Sequence, residues 1–143
     1  MFTRAIAAIA LALPLAAPAL AYERTAAPEG AEVYFVNVRD GDTVTSPFTV
    51  VFGARGVGIA PAGVEHPATG HHHLLIDVNV DEALLSQSLP SDDNHRHFGG
   101  GQTEFTLDLA PGEHTLQLLM GDHNHVPHDP PIMSEAITVT VAE

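Results

Sequence analysis

Between residues 32 and 141, apolar and polar positions alternate in short runs separated by clusters of Gly, Pro, Asp and Asn. A period of two places successive side chains on opposite faces of an extended strand. The pattern predicts strands over 32–38, 48–52, 72–80, 104–109, 114–120 and 136–141, with turns at Asp40-Gly41-Asp42 and Pro111-Gly112. Residues 81–88 read as a short helical turn or a weak edge segment. The stretches 53–70, 90–102 and 122–131 read as loops, with Gly99-Gly100-Gly101 too permissive for regular structure. No long helical period interrupts this order. The expected fold class is all-β, an immunoglobulin-like antiparallel Greek-key β-sandwich of about seven strands.

The first 21 residues stand outside that pattern. Arg4 supplies a positive start, residues 6–15 an apolar run, and Ala19-Leu20-Ala21 a small-x-small cleavage site. The apolar run is broken by Pro14 and Pro18 and is too short to span a bilayer. We read residues 1–21 as a cleaved signal peptide, residues 22–30 as a flexible lead-in, and 31–143 as a single β-sandwich domain. The expected location is the periplasm of a Gram-negative bacterium, or the medium, with no membrane span after cleavage.

Charge then narrows the partners. Without Arg4 the chain holds four arginines, no lysine and eighteen carboxylates. That acidity excludes nucleic acid and anionic lipid as partners and suits cations. Cysteine is absent, so stability rests on core burial and any metal must be held by His, carboxylate or Met. Met120 and Met133 alone remain after the leader, too few for a Met-rich cuprous site.

Candidate chemistry concentrates in ten histidines. His71-His72-His73 runs directly into Leu74-Leu75-Ile76. His95 and His97 follow in the 90–102 loop, and His123, His125 and His128 in the 122–131 loop. In the expected fold these loops and 53–70 share one end of the sandwich, which leaves His114 at the other. Strand parity sets Leu74, Ile76, Val78 and Val80 inward and His71, His73, Leu75 and Asp77 outward. The 114–120 strand likewise sends Leu116, Leu118 and Met120 inward and Leu119 and His123 outward. Facing side chains of these antiparallel neighbours have Cβ atoms ~5 Å apart, within the span of one metal ion. The expected ligands are therefore His71, His73 and His123 from the strands, with His97, His125 and His128 from the loops. His66 and His114 read as plain surface residues, and His72 as a core-edge histidine. Imidazole-rich sites suit Cu(II) or Zn(II), and Ni(II) as well, with copper favoured by affinity order. Ligation needs neutral imidazole, so binding is expected to weaken as pH falls past the ordinary histidine pKa of ~6.5.

The segments DGDTVTSPFTVVFGARGVGIAPAG, TGHHHLLID, HFGGGQTEFTLDLAPGEHTLQLLMGD and HNHVPHDPPIMSEAITVTV together resemble the bacterial family Domain of Unknown Function 4399. The likeness runs from about Val33 to Val141, apart from 80–94. It implies a small exported bacterial domain to which the histidine segments belong, and it implies no activity. The opening GDTVTSPFTVVFGA is also similar to first hairpins of immunoglobulin-like periplasmic modules of the copper-resistance type.

No nucleophile motif of the G-x-S-x-G kind and no phosphate loop occurs. Three functions compete. The first is an exported protein that binds, buffers or delivers Cu(II) or Zn(II), with another envelope protein as donor or acceptor. A second is a metal-free envelope interaction or assembly module, in which Leu75 and Leu119 form a contact patch. The third is a small metalloenzyme on the same histidines, with Glu104 as a nearby carboxylate base.

Overall fold

The computed structural model describes residues 22–143; the signal peptide read at 1–21 lies outside them. Two β-sheets pack face to face. In chain order the elements are β1 (Glu32–Phe35), β2 (Thr43–Val44), β3 (Phe48–Arg55), β4 (Gly58–Ile59), β5 (Thr69–Ile76), α1 (Glu82–Leu85), β6 (His95–His97), β7 (Glu104–Leu107), β8 (Gly112–Gly121) and β9 (Ile137–Val141). One sheet has the order β1-β3-β7. The other runs β2-β9-β8-β5-β4, with β6 also paired to β5. All pairings are antiparallel except the short β2–β9 and β4–β5 contacts. The all-β class is therefore as expected, with more and shorter strands than seven. Among the described residues no helix is long and apolar enough to cross a membrane.

Alternation builds the core. Val50 and Phe52 of β3 and Leu107 of β7 meet Leu74 and Ile76 of β5, Leu116, Leu118 and Met120 of β8, and Val139 of β9. The central pair is β5 with β8, joined from His71↔Gly121 to Ile76↔Leu116. The expected inward set on these strands is thus the observed one up to Ile76.

Beyond Ile76 the expectation fails. Asp77 takes a left-handed φ of 57°, which ends β5 and turns the chain over the outer face of the sheet. Val78 and Val80 then pack not in the core but on a second cluster of Leu75, Leu89 and Leu119, together with Leu84 and Leu85. Asp81 caps the single turn α1 by accepting the Leu84 amide at 2.8 Å. Leu75 and Leu119 do face outward, but this flap buries both. The contact patch expected of an interaction module is therefore covered by the chain itself.

The 90–102 loop also differs. His95–His97 forms β6 against β5, with His73 opposite His97. Residues 22–30, expected to be loose, are tied along the 122–129 segment. The Ala27 amide donates to the Asp129 carbonyl at 3.0 Å and the Asp129 amide to the Thr25 carbonyl at 2.9 Å. The Arg24 guanidinium donates to the carbonyls of Pro127 and His128.

Leu118 is wholly buried at the centre of β8. Replacing it with alanine should cost about 2–5 kcal/mol, whereas Val36→Ala, at an exposed position, should stay within about 0.5 kcal/mol. Urea unfolding of the two variants checks this, and equal losses would contradict the assigned core.

Candidate metal centre

Four imidazoles gather on the outer face of β5. His71 and His73 come from β5 itself, on the face opposite Leu74. Register carries His97 across from His73, and the turn after β8 folds His125 back over them. Ring centroids lie 4.9 Å apart for His71–His73, 5.0 Å for both His71–His97 and His73–His97, 5.1 Å for His71–His125 and 4.7 Å for His97–His125. The longest separation is His73–His125, at 6.2 Å. One nitrogen each from His71, His97 and His125 lies within 4.8 Å of the others. His73 sits deepest, its Nε2 sharing a hydrogen bond with His71 Nε2 at 3.1 Å. Two ligands 2.0–2.1 Å from a tetrahedral ion stand about 3.3 Å apart, so this pair already has the spacing of an edge of such a shell.

Backbone details that make room for these rings include two glycines. A Cβ on Gly121 would come within 2.9 Å of His73 Nε2 and 3.2 Å of the His125 backbone. At Gly99 it would strike the His97 ring at 2.4 Å. Gly99 is therefore a vacated seat for an imidazole rather than a flexible link. His125 reaches the group in a left-handed conformation, φ 67°, which costs a residue with a side chain on the order of 1–3 kcal/mol.

Asp122 holds that conformation in place. Its Oδ1 accepts the amides of Asn124 at 2.8 Å and Val126 at 3.0 Å. Its Oδ2 accepts the hydroxyls of Tyr22 and Thr25, each at 2.8 Å. Burial alone would raise the Asp122 pKa, but these four donors outweigh it and hold the pKa below the usual carboxylate range. The result is an ionised carboxylate close enough to act on His71.

His71, His73 and His97 are kept neutral. Burial, with His97 and His125 as neighbouring rings, lowers His71 to about 4 even though Asp122 pulls the other way. Burial and the adjacent His71, His97 and His125 rings bring His73 down to about 2. His97 is lowered as well, by burial and then by His125. For these three the proton competes with a metal only at lower pH than an exposed histidine would suggest, which revises the expectation of weakening near 6.5. The Nδ1 atoms of His71 and His73 and the Nε2 of His97 are buried with no hydrogen-bond partner.

The expected ligand set is thus brought together in part. His71, His73, His97 and His125 converge; His123 and His128 do not join them. Parity placed His123 outward by extrapolating β8, but the strand ends at Gly121 and Asp122 begins a tight turn. His123 Nε2 instead accepts a hydrogen bond from the Asn124 side-chain Nδ2 at 2.9 Å, and His123 lines a cleft with Val64, Glu65 and His66. His128 is buried near Gly70, on the inner side of the sheet. His114, at the far end, pairs with Asp77 Oδ2 at 2.7 Å. Glu104 lies exposed on β7 of the other sheet and is no base for this group. The loops do meet, as expected: the Ala62 amide donates to the Gly99 carbonyl and the Gly63 amide to the His123 carbonyl. Reading the sequence missed Asp122, although an Asp before His-Asn-His is an ordinary turn signal.

A family model described as Domain of unknown function (DUF4399) matches residues 50–142. No curated protein and no solved structure matches the chain, and the likeness of the first hairpin to immunoglobulin-like periplasmic modules is not confirmed by them.

Buried neutral histidines link folding to pH. The unfolded chain binds their protons near pH 6.5 and the folded one does not, so their contribution falls as pH drops below 6.5, toward about 4 for His71 and about 2 for His73. His114 has the opposite sign: its hydrogen bond to Asp77 raises its pKa, and its contribution is full below 6.5 and fades as pH rises through the folded value. Urea unfolding of metal-free protein at pH 7, 6 and 5 should show declining stability, with His114→Asn steepening the decline. Stability that rises on acidification would contradict neutral burial of His71 and His73.

Proposed function

For this chain, which belongs to the DUF4399 family, we propose an exported histidine-rich protein that binds Zn(II) or Cu(II) and buffers or delivers it. The observation that carries the proposal is the convergence of four imidazoles from three separate segments, with one ring nitrogen each of His71, His73 and His97 buried and unpartnered. Bringing these rings together costs desolvation and crowding that hydrogen bonds inside the protein do not offset. A dication offsets both: it takes the lone pairs and gains attraction from ionised Asp122. The leader-like residues 1–21 support export and the periplasm. Imidazole ligation accommodates Ni(II) too, and the affinity order favours Cu(II) over Zn(II) at equal supply.

Four histidines closing a tetrahedron leave no place for substrate, which favours holding and transfer over catalysis. A second reading rests on the mutual closeness of His71, His97 and His125 alone. If a metal takes those three and His73 stays behind, the fourth position is open, as in a small metalloenzyme. Turnover of ester or oxidant substrates by metal-loaded protein distinguishes the two.

Isothermal titration with Zn(II) and with Cu(II), on protein purified without tag or chelator, tests the assignment. His97→Ala and His125→Ala should each weaken binding tenfold or more, about 1.4 kcal/mol. His123→Ala and His114→Ala should leave it unchanged. Loss of binding in His123→Ala with retention in His97→Ala would overturn the proposed ligand set.

A further inference from the structure

The β5–β8 pair has an inner face as well. There His72 stands opposite Met120 in the register, and Gly70 precedes His72 on the same side. A Cβ on Gly70 would lie 2.6 Å from Met120 Cγ and 3.0 Å from His128 Cε1. The missing side chain at Gly70 is therefore the point at which the thioether side chain and the second imidazole approach each other. His72, Met120 and His128 are all fully buried. The Phe52 ring, 5.3 Å from that of His72 and 4.9 Å from that of Phe98, makes the surroundings apolar.

Hydrogen bonding leaves this region unsatisfied. Neither ring nitrogen of His72 has a partner. His128 Nε2 donates to the Thr69 carbonyl at a long 3.3 Å, and its Nδ1 has no partner. A neutral imidazole carries one N–H and one lone pair, so His128 keeps its lone pair on Nδ1, and His72 has one to offer as well. An unmet buried polar group costs about 1–3 kcal/mol, a cost that a leucine at position 72 would avoid.

We infer that His72, Met120 and His128 form a second metal site, distinct from the outer group, for a soft monovalent cation: Cu(I) or Ag(I). Imidazole and thioether ligate as uncharged donors, and no carboxylate is among the three. Desolvation of an ion scales with the square of its charge, so a dication here would cost about four times what a monocation does. Thioether and imidazole together suit a soft d10 monocation. The unbranched Met120 side chain can swing its sulfur into line without moving the strand. The outer group has the complementary character, with ionised Asp122 beside it. One histidine triplet thereby serves two sites of different charge preference, back to back on one strand.

The site can be tested on the full chain bearing methyl-13C methionine, titrated with silver nitrate in chloride-free buffer. By two equivalents of Ag(I) the Met120 methyl resonance should shift, while that of Met133, 40% exposed, should stay in place. Zn(II) should move neither. Met120→Leu, which keeps apolar volume, should weaken Ag(I) binding at least tenfold with Zn(II) affinity unchanged. A Met120 methyl that does not respond to Ag(I) would overturn the inference. So would Ag(I) binding that His97→Ala abolishes and Met120→Leu leaves intact. Absence of Zn(II) binding would refute the outer site alone, because the Met120 resonance reports the inner one directly.

Discussion

The antiparallel pairing of β5 with β8 is the constraint on which the rest of the structure depends. Its register sets His72 against Met120 and His73 against Leu119, and so decides which face each histidine of the triplet occupies. A slip of one residue would exchange those faces, sending two imidazoles into the core and Leu74 outward. The apolar residues therefore enforce the faces: Leu74 and Ile76 on β5, with Leu116 and Leu118 on β8, oppose a one-residue slip because it would turn them out of the core.

On the outer face, the flap of residues 77–93 and the Asp122 turn take the place of solvent. The flap packs Val78, Val80 and Leu85 over Leu75 and Leu119, and the Leu89 amide hydrogen-bonds the His125 carbonyl at 2.9 Å. Asp122 fixes the same turn from the other side and links it to Tyr22 and Thr25. Burial on this face lowers the pKa of His71, His73 and His97. A metal bound as proposed would stabilise the fold in turn, by about 2.7 kcal/mol at a free concentration one hundred times Kd.

Much of this was legible in the sequence, and the limits have physical causes. The class of fold and the inward set Leu74, Ile76, Leu116, Leu118 and Met120 followed from alternation. So did the outward placement of His71 and His73, since parity holds as long as a strand does. It misled where strands ended. Asp77 and His125 adopt left-handed backbone, which alternation does not encode, and so Val78 and Val80 were placed in the core and His123 among the ligands. Gly99 was read as flexibility, because the ring that fills its place comes from His97, two residues earlier, once β6 has paired with β5. The inner role of His72 depends on His128 arriving from a distant loop, which a local pattern does not reveal.

The central claim is that imidazoles of the outer group are the ligands of a dication. X-ray absorption at the zinc edge, on protein carrying one equivalent of Zn(II), tests it most directly. The account predicts a first shell of nitrogen at about 2.0–2.1 Å, with the outer-shell scattering of three or four imidazole rings. A shell dominated by carboxylate or water oxygen, with at most one imidazole, would contradict it.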